Sequence, residues 1–269
     1  MSSLSNSTTT ADHPTPDQVK AYYDVFSAER MLNYRLVGNR RIEKAIHFFT
    51  DSLRRDETVL DIGCGIGIAT EAMARRTSGR VVGVDISEQN IWYAKKTINL
   101  PNLDFVVQDV LSETFDAVIL LGHRPSTITM CDVIEHIPEA SRPELFKKFA
   151  SIGSADLKVQ LTFPTAVHLE YLEQEEPAEI QIIDNKLPPQ VLGSDAAQAG
   201  FAMTYFKMID VWRGADYAHC TFERLDSLRS RIRVRVSDSL VERCRSRVAR
   251  AIARRAKKRR YIDNIFSTK

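Results

Sequence analysis

Cysteine is scarce in this chain. Cys64, Cys131, Cys220 and Cys244 are the only four in 269 residues, and no two have metal-finger spacing or form a framework of the secreted type. The expectation is therefore reduced thiols in a cytosolic protein. No apolar run approaches the roughly 18 residues of a membrane span. The first 14 residues are polar and rich in Ser and Thr, without the basic start and apolar middle of a secretory signal, and they read as a disordered lead-in. No internal repeat is visible. No group of Asp, Glu and His has clear metal-ligand spacing; Asp132, Glu135 and His136 come nearest, and no metal is assigned. What these absences leave is an ordinary globular composition, 43% hydrophobic and 27% charged, long enough for one α/β domain with attachments.

Net charge is +2, but it is unevenly spread. Residues 228–260 hold fourteen Lys and Arg against Asp238 and Glu242, a net +12, so the remainder carries −10. An acidic body with a basic tail is a partner signal rather than a fold signal. Within the tail, Arg229–Arg235 alternates Arg with other residues and reads as a strand with one charged face. Ser239 and Glu242 form a capping box, followed by an apolar stripe of Leu240, Val241, Cys244, Val248, Ala251 and Ile252 on an otherwise basic helix. Three partners suit it: the acidic body, a dimer mate or another protein; an anionic membrane surface; or nucleic acid. Docking or membrane association ranks above nucleic acid, because the body is acidic and no nucleic-acid module is evident.

Ahead of the tail, helix and strand signals alternate. Thr15-Pro16-Asp17-Gln18 is a helix start, with Thr as cap, Pro in the first turn and Gln completing the box. A second helix runs from about Asn39 to Leu53, with Ile42, Ile46 and Phe49 on one face. Strands are expected at Thr58–Ile62, Val81–Val84, Phe105–Val107 and Lys158–Phe163, with helices over Ile66–Ser78, from Ser87, over Pro138–Ala150 and around Gln190–Ala199. The fourth strand has two candidates, Ala117–Leu121 and Thr127–Cys131. Phe201–Trp212 and Tyr217–Leu225 form a closing antiparallel hairpin. This rhythm implies a mostly parallel sheet covered on both faces, seven strands in all, complete near Ser227. The acidic stretch 165–189 interrupts it.

The chemistry concentrates at Asp61-Ile62-Gly63-Cys64-Gly65-Ile66-Gly67, between a strand and a helix. Glycines there allow a tight bend and close approach to a ligand, and the helix start offers free N–H groups. Asp85 ends the next strand, where an acidic side chain accepts from both hydroxyls of a ribose. The pattern departs from the dinucleotide G-x-G-x-x-G and suits an adenosine ligand without a pyrophosphate.

Taken together, VLDIGCGIG, VVGVDIS, VVQDV and CDVIEHIP resemble the successive cofactor motifs of class I S-adenosylmethionine-dependent methyltransferases. They are most similar to the small-molecule branch that includes ubiquinone-biosynthesis enzymes. The resemblance covers Tyr22–Pro164 and implies a Rossmann-like, doubly wound, seven-stranded sheet with an N-terminal helical lid. It also implies a role for each residue. Gly63, Gly65 and Gly67 line the methionine part and sugar, and Asp61 sits near the amino-acid end. Asp85 binds the ribose and Ile86 packs on adenine. Asp109 with the Val110 backbone reads the adenine amino group, Cys131 flanks the methionine, and Tyr22 and Tyr23 resemble lid tyrosines. One departure is the run Leu121–Ser126 before CDVIEH: either a loop inserted near the active site, or a sign that the fourth strand lies elsewhere.

Methyl transfer to a hydroxyl calls for a proton acceptor, and His is the commonest near neutral pH. His136 follows the fourth strand and His168 the fifth, both at the carboxyl edge of the sheet, and these are the candidate bases; His123 lies in the extra loop. The segment HLEYLEQEEPAEIQIID loosely resembles substrate-side insertions of polysaccharide and secondary-metabolite methyltransferases. The expectation is an O-methyltransferase using S-adenosyl-L-methionine on a small molecule or saccharide, cytoplasmic or peripheral at a membrane. The alternatives are an N-methyltransferase on a small amine and a non-catalytic binding scaffold. The expected organisation is a lead-in 1–14, a methyltransferase domain 15–227 with insertion 165–189, and a basic tail 228–269, with a homodimer one possible assembly.

Overall fold

The structure is a computed structural model describing residues 14–26 and 32–232. Chain contacts divide it into two units, Met1–Arg224 and Leu225–Lys269. The lead-in and most of the basic tail fall outside the described residues. Of the second unit, residues 225–232 are helical. The alternating-Arg stretch is therefore not a strand as far as Ile232. Asp226 accepts from Arg229 one turn on, at 3.1 Å, a spacing that suits the helix and not an extended strand.

The first unit is built on a seven-stranded sheet in the order β3-β2-β1-β4-β5-β7-β6. Strands β1 (Val59–Ile62), β2 (Val81–Asp85), β3 (Leu103–Val107), β4 (Thr127–Cys131) and β5 (Lys158–Pro164) are parallel, while β6 (Phe201–Ile209) and β7 (Tyr217–Arg224) close it as an antiparallel hairpin. The strand order reverses at β1, with β2 on one side and β4 on the other, and a parallel sheet opens a crevice at the carboxyl end of such a point.

Strand residues alternate between two cores. Leu60, Ile62, Val82 and Val84 face a large cluster with Leu145, Phe146 and Phe149 of α7 (Arg142–Ile152) and Leu192 of α9 (Pro189–Ala197). Val59 and Val81 face the opposite cluster, with Phe49 of α3 (Arg40–Asp51) and Met73 of α4 (Ile68–Arg76). The remaining helices are α1 (Pro16–Phe26), α2 (Leu32–Val37), α5 (Glu88–Thr97), α6 (Ala117–Leu121) and α8 (Ala166–Glu175). The expected caps are present: Thr15 and Gln18 bond reciprocally at 2.8 and 3.3 Å, and the Ser87 hydroxyl accepts from Asn90; the structure adds Asn39, which accepts from Arg41 and Ile42.

The fourth strand is Thr127–Cys131, paired with β1 and β5. Ala117–Leu121, the other candidate, is helical for a local reason: Asp116 Oδ1 accepts from the Val118 and Ile119 amides, and Gly122 terminates the turn at φ 74°. The run that follows lies at the amino ends of the strands, where the Ser126 amide donates to Thr58. It is thus on the edge away from the crevice, and His123 goes with it. The acidic stretch 165–189 opens as α8, capped by Thr165, and continues through a short turn at Pro177–Glu179 into an irregular segment.

Arg142, the first residue of α7, is almost wholly buried and donates to Asp195 of α9 at 3.0 Å. Removing the carboxylate strands a buried guanidinium. Asp195→Ala is expected to lower stability by about 3 kcal/mol, read as a drop in the urea midpoint at unchanged slope.

Candidate active site

The crevice at the carboxyl ends of β1, β2, β4 and β5 holds a cleft of about 590 Å³. Of the residues expected there, Asp61, Gly63, Gly65, Asp85, Ile86, Asp109, Val110, Cys131, His136 and His168 line it. Two do not. Tyr23 takes the cleft wall in place of Tyr22, which packs edge-on against the Tyr23 ring at 5.3 Å. Gly67 opens α4 in a left-handed conformation, φ 82°, and a Cβ there would come within 2.6 Å of Phe105. That glycine is required by packing behind the turn. Gly63, φ 67°, faces a similar constraint, since a Cβ would meet Val133 at 2.2 Å.

At one end the turn is held by Asp85. Its Oδ2 accepts from the Gly65 amide at 2.8 Å, and its Oδ1 from the Ser87 amide at 2.9 Å and from Asn90 Nδ2 at 3.1 Å. Burial pushes the Asp85 carboxyl upward, against these three donors. The Asn90 Oδ1 beside it is buried without a hydrogen-bond partner on the cleft wall. Asp109 Oδ1 accepts from the Leu111 amide at 2.8 Å, which fixes the loop after β3, and the Val110 carbonyl accepts from Lys148. Asp61 is inside the wall: Thr70 and Thr129 hydroxyls donate to its two oxygens at 2.6 and 2.7 Å, and burial raises it to about 6 in spite of them. Cys131 receives a hydrogen bond from Thr162, and burial holds its thiol well above its usual range.

The other end is a set of buried charges. Arg41, from the first turn of α3, pairs with Asp132 at 2.7 Å and reaches the Tyr217 hydroxyl at 3.5 Å. Burial works against the Arg41 charge, but Asp132 and Tyr217 outweigh it and raise its pKa further. Asp132 sits just past β4 at φ 54°, a left-handed backbone for a non-glycine residue. Behind it, the His136 ring donates from Nδ1 to the Ile183 carbonyl and lies 3.3 Å from Asp184. Glu135 and Gln181 each present a buried oxygen without a hydrogen-bond partner, Oε2 and Oε1 respectively. His168, on α8, stands apart from these pairs, its ring stacked on that of Tyr171 at 6.4 Å and tilted against that of Tyr217 at 5.8 Å. Burial lowers its pKa below the ordinary histidine value, so it is neutral at neutral pH.

Sequence reasoning passed over Arg41, Tyr217, Asp184 and Gln181. Arg41 left one signal: two arginines follow the Asn39 cap, where a helix start repels cations, and a cation there needs a nearby carboxylate. The others arrive from distant segments with no motif of their own. Among the described residues no cluster of His, Cys, Asp and Glu is arranged to hold a metal ion, and no helix is long and apolar enough to cross a membrane.

Residues 59–153 match the family model described as a methyltransferase domain. The ribosomal protein L11 methyltransferase of Thermotoga maritima is 38% identical over 80 residues, 28% of this chain and 30% of that protein. A ubiquinone biosynthesis O-methyltransferase of Neisseria meningitidis is 33% identical over 85 residues, 32% of this chain and 35% of the relative. The chain thus spans about a third of the length of these curated relatives. Among solved structures, magnesium protoporphyrin IX methyltransferase from Synechocystis PCC 6803 with bound SAH has a TM-score of 0.61 at 18% identity, covering 78% of this chain and 100% of that one, a likeness of fold. Sheet order and glycine turn agree with this match: residues 59–153 resemble a methyltransferase domain, and the sheet around them has the fold of the Synechocystis enzyme.

Arg41→Ala leaves Asp132 buried without its cation. The expected loss is about 3 kcal/mol at pH well above the carboxyl's folded pKa. The sign follows from burial: it raises Asp132 above its unfolded value, so the penalty shrinks as pH falls and the carboxyl takes a proton. Urea denaturation of the variant at mildly alkaline and mildly acid pH checks both parts.

Proposed function

We propose that this protein transfers a methyl group from S-adenosylmethionine to a hydroxyl of a small molecule or saccharide, with His168 as the base. The observation that carries the reading is the Asp85 end of the cleft. A carboxylate fixed by three donors stands beside the unpartnered Asn90 oxygen, at the reversal point of a parallel sheet. Two adjacent acceptors of this kind suit the paired hydroxyls of a ribose. The charge of the wall agrees. Asp61, Asp85, Asp109, Asp132, Glu176, Glu179 and Asp184 line the cleft against Arg41, Arg213 and a cationic His136, while burial raises Glu135 to about 8; the balance still favours a cationic ligand. When bound, S-adenosylmethionine supplies an electrophilic methyl group on a sulfonium.

The chain's own residues supply the rest. Gly65, Asp85 and Asp109 hold and orient the adenosine portion. Apolar residues Leu169, Leu172 and Ile183 with Tyr23 and Tyr217 line the remaining wall and exclude water from it. His168, neutral and facing the same cleft, accepts the proton that an acceptor hydroxyl releases. The relative named as an O-methyltransferase supports oxygen as the acceptor atom.

S-Adenosylmethionine at saturating concentration is expected to raise the melting temperature, and Asp85→Ala to abolish the shift. His168→Ala should keep the shift yet lose roughly 100-fold or more in turnover, measured by a methyl-transfer screen over phenols, sugars and amines. The acid limb of the wild-type rate should fall below the ordinary histidine value, because burial lowers the His168 pKa. Full turnover in His168→Ala removes the base assignment, and a melting point indifferent to the cofactor removes the reading itself.

A further inference from the structure

Residues 180–188 have no helix or strand of their own, yet Gln181, Ile183 and Asp184 line the cleft. An irregular segment keeps its place only through specific bonds. Here they converge on the short turn Ile134–His136 that follows β4. The Asn185 amide donates to the Glu135 carbonyl at 2.9 Å, and Asn185 Nδ2 donates to the carbonyls of Glu135 and Ile137 at 2.8 and 3.1 Å. The Gln181 amide donates to Asp184 Oδ2 at 2.8 Å. The charged member of the set is His136, whose ring meets both the Ile183 carbonyl and the Asp184 carboxylate.

We propose that His136 is a positioning residue that, as an imidazolium, latches the wall 181–184 onto the β4 turn and so shapes the acceptor end of the cleft. This rests on the cleft reading above and adds which wall is adjustable and what holds it. A carbonyl only accepts, so Nδ1 must carry a proton, and the carboxylate beside it favours the cation. Both side chains are nearly buried, which strengthens the pair. With Nδ1 committed and the ring charged, His136 is unable to take a proton from an acceptor, and its duty differs from that of His168.

The latch depends on pH. Burial disfavours the His136 cation, but Glu135 and Asp184 outweigh it and raise its pKa to about 9. The groups facing it are Asp184 from the segment, Glu135 on its own turn at 3.9 Å, Asp132 just before that turn, and Tyr23 of α1, 5.8 Å from ring to ring. A histidine whose folded pKa lies above its unfolded value contributes fully below the latter, about 6.5. The contribution declines as pH rises and is lost through about 9.

Amide hydrogen exchange with mass spectrometry on the full chain, without cofactor, tests this through peptides spanning 180–187. After correction for intrinsic exchange, wild-type protection of this segment should fall as pH passes about 9, while β1 and β4 keep theirs. His136→Gln and Asp184→Asn should each lower it by about tenfold at neutral pH and remove the pH dependence. Unchanged protection of the segment in both variants overturns the proposal. So does equal loss across β1 and β4, which marks a general folding defect. A missing cofactor shift in melting temperature sinks the methyltransferase reading instead and leaves the exchange result standing.

Discussion

The hydrogen bond from the Gly65 amide to the Asp85 carboxylate is the contact on which the site depends. A glycine turn is by itself a flexible object, since glycine has more backbone freedom to lose than any other residue. Here one end is held by β1 and the other by α4, and the middle is pinned to the end of the neighbouring strand. The same carboxylate accepts from Ser87 and Asn90, the cap and the first turn of α5. One side chain thereby sets the positions of two strand–helix connections relative to each other. Those connections form one half of the cleft wall.

The opposite half is organised by charge rather than by backbone. Arg41 with Asp132, and His136 with Asp184, are pairs between elements far apart in the chain. Buried ions are stable only when paired and further hydrogen-bonded, and Thr162 and Tyr217 supply part of that support. The two halves differ in consequence. The Asp85 half is fixed by local geometry and tolerates little variation. The charged half is an assembly of segments that are distant in the chain.

That difference also explains what was legible in the sequence. The strand–turn–helix at Val59–Thr70 and the terminal Asp85 are short-range features, and both the fold and the cleft-lining positions around them follow from pattern and spacing. The fourth strand was ambiguous because Ala117–Leu121 is wholly apolar, while Thr127–Cys131 carries two β-branched threonines among apolar residues, and either run suits a buried strand. The cap at Asp116 and the glycine at 122 were the deciding signs, and they lie outside the apolar run itself. Arg41, Tyr217 and Asp184 reach the cleft from α3, from β7 and from an irregular segment, and no periodicity relates them. Tyr22 and Tyr23 are neighbours with the same chemistry, and only the direction of the helix face separates them.

The placement of β7 has a consequence for how the cleft comes into being. β7 lies between β5 and β6, so β5 finds its antiparallel neighbour only after some fifty further residues have been made. Strands β1 to β4 pair with one another from the first half of the chain, and the Asp85 connections lie wholly within it. Tyr217, which opens β7 and reaches Arg41, comes among the last residues of the sheet. During synthesis from the amino end, the half of the site defined by the glycine turn has all its parts before the charged half has its own. The long-range pairing of β5 with β7 carries the larger loop-closure entropy, which makes completion of the charged half the late event in folding.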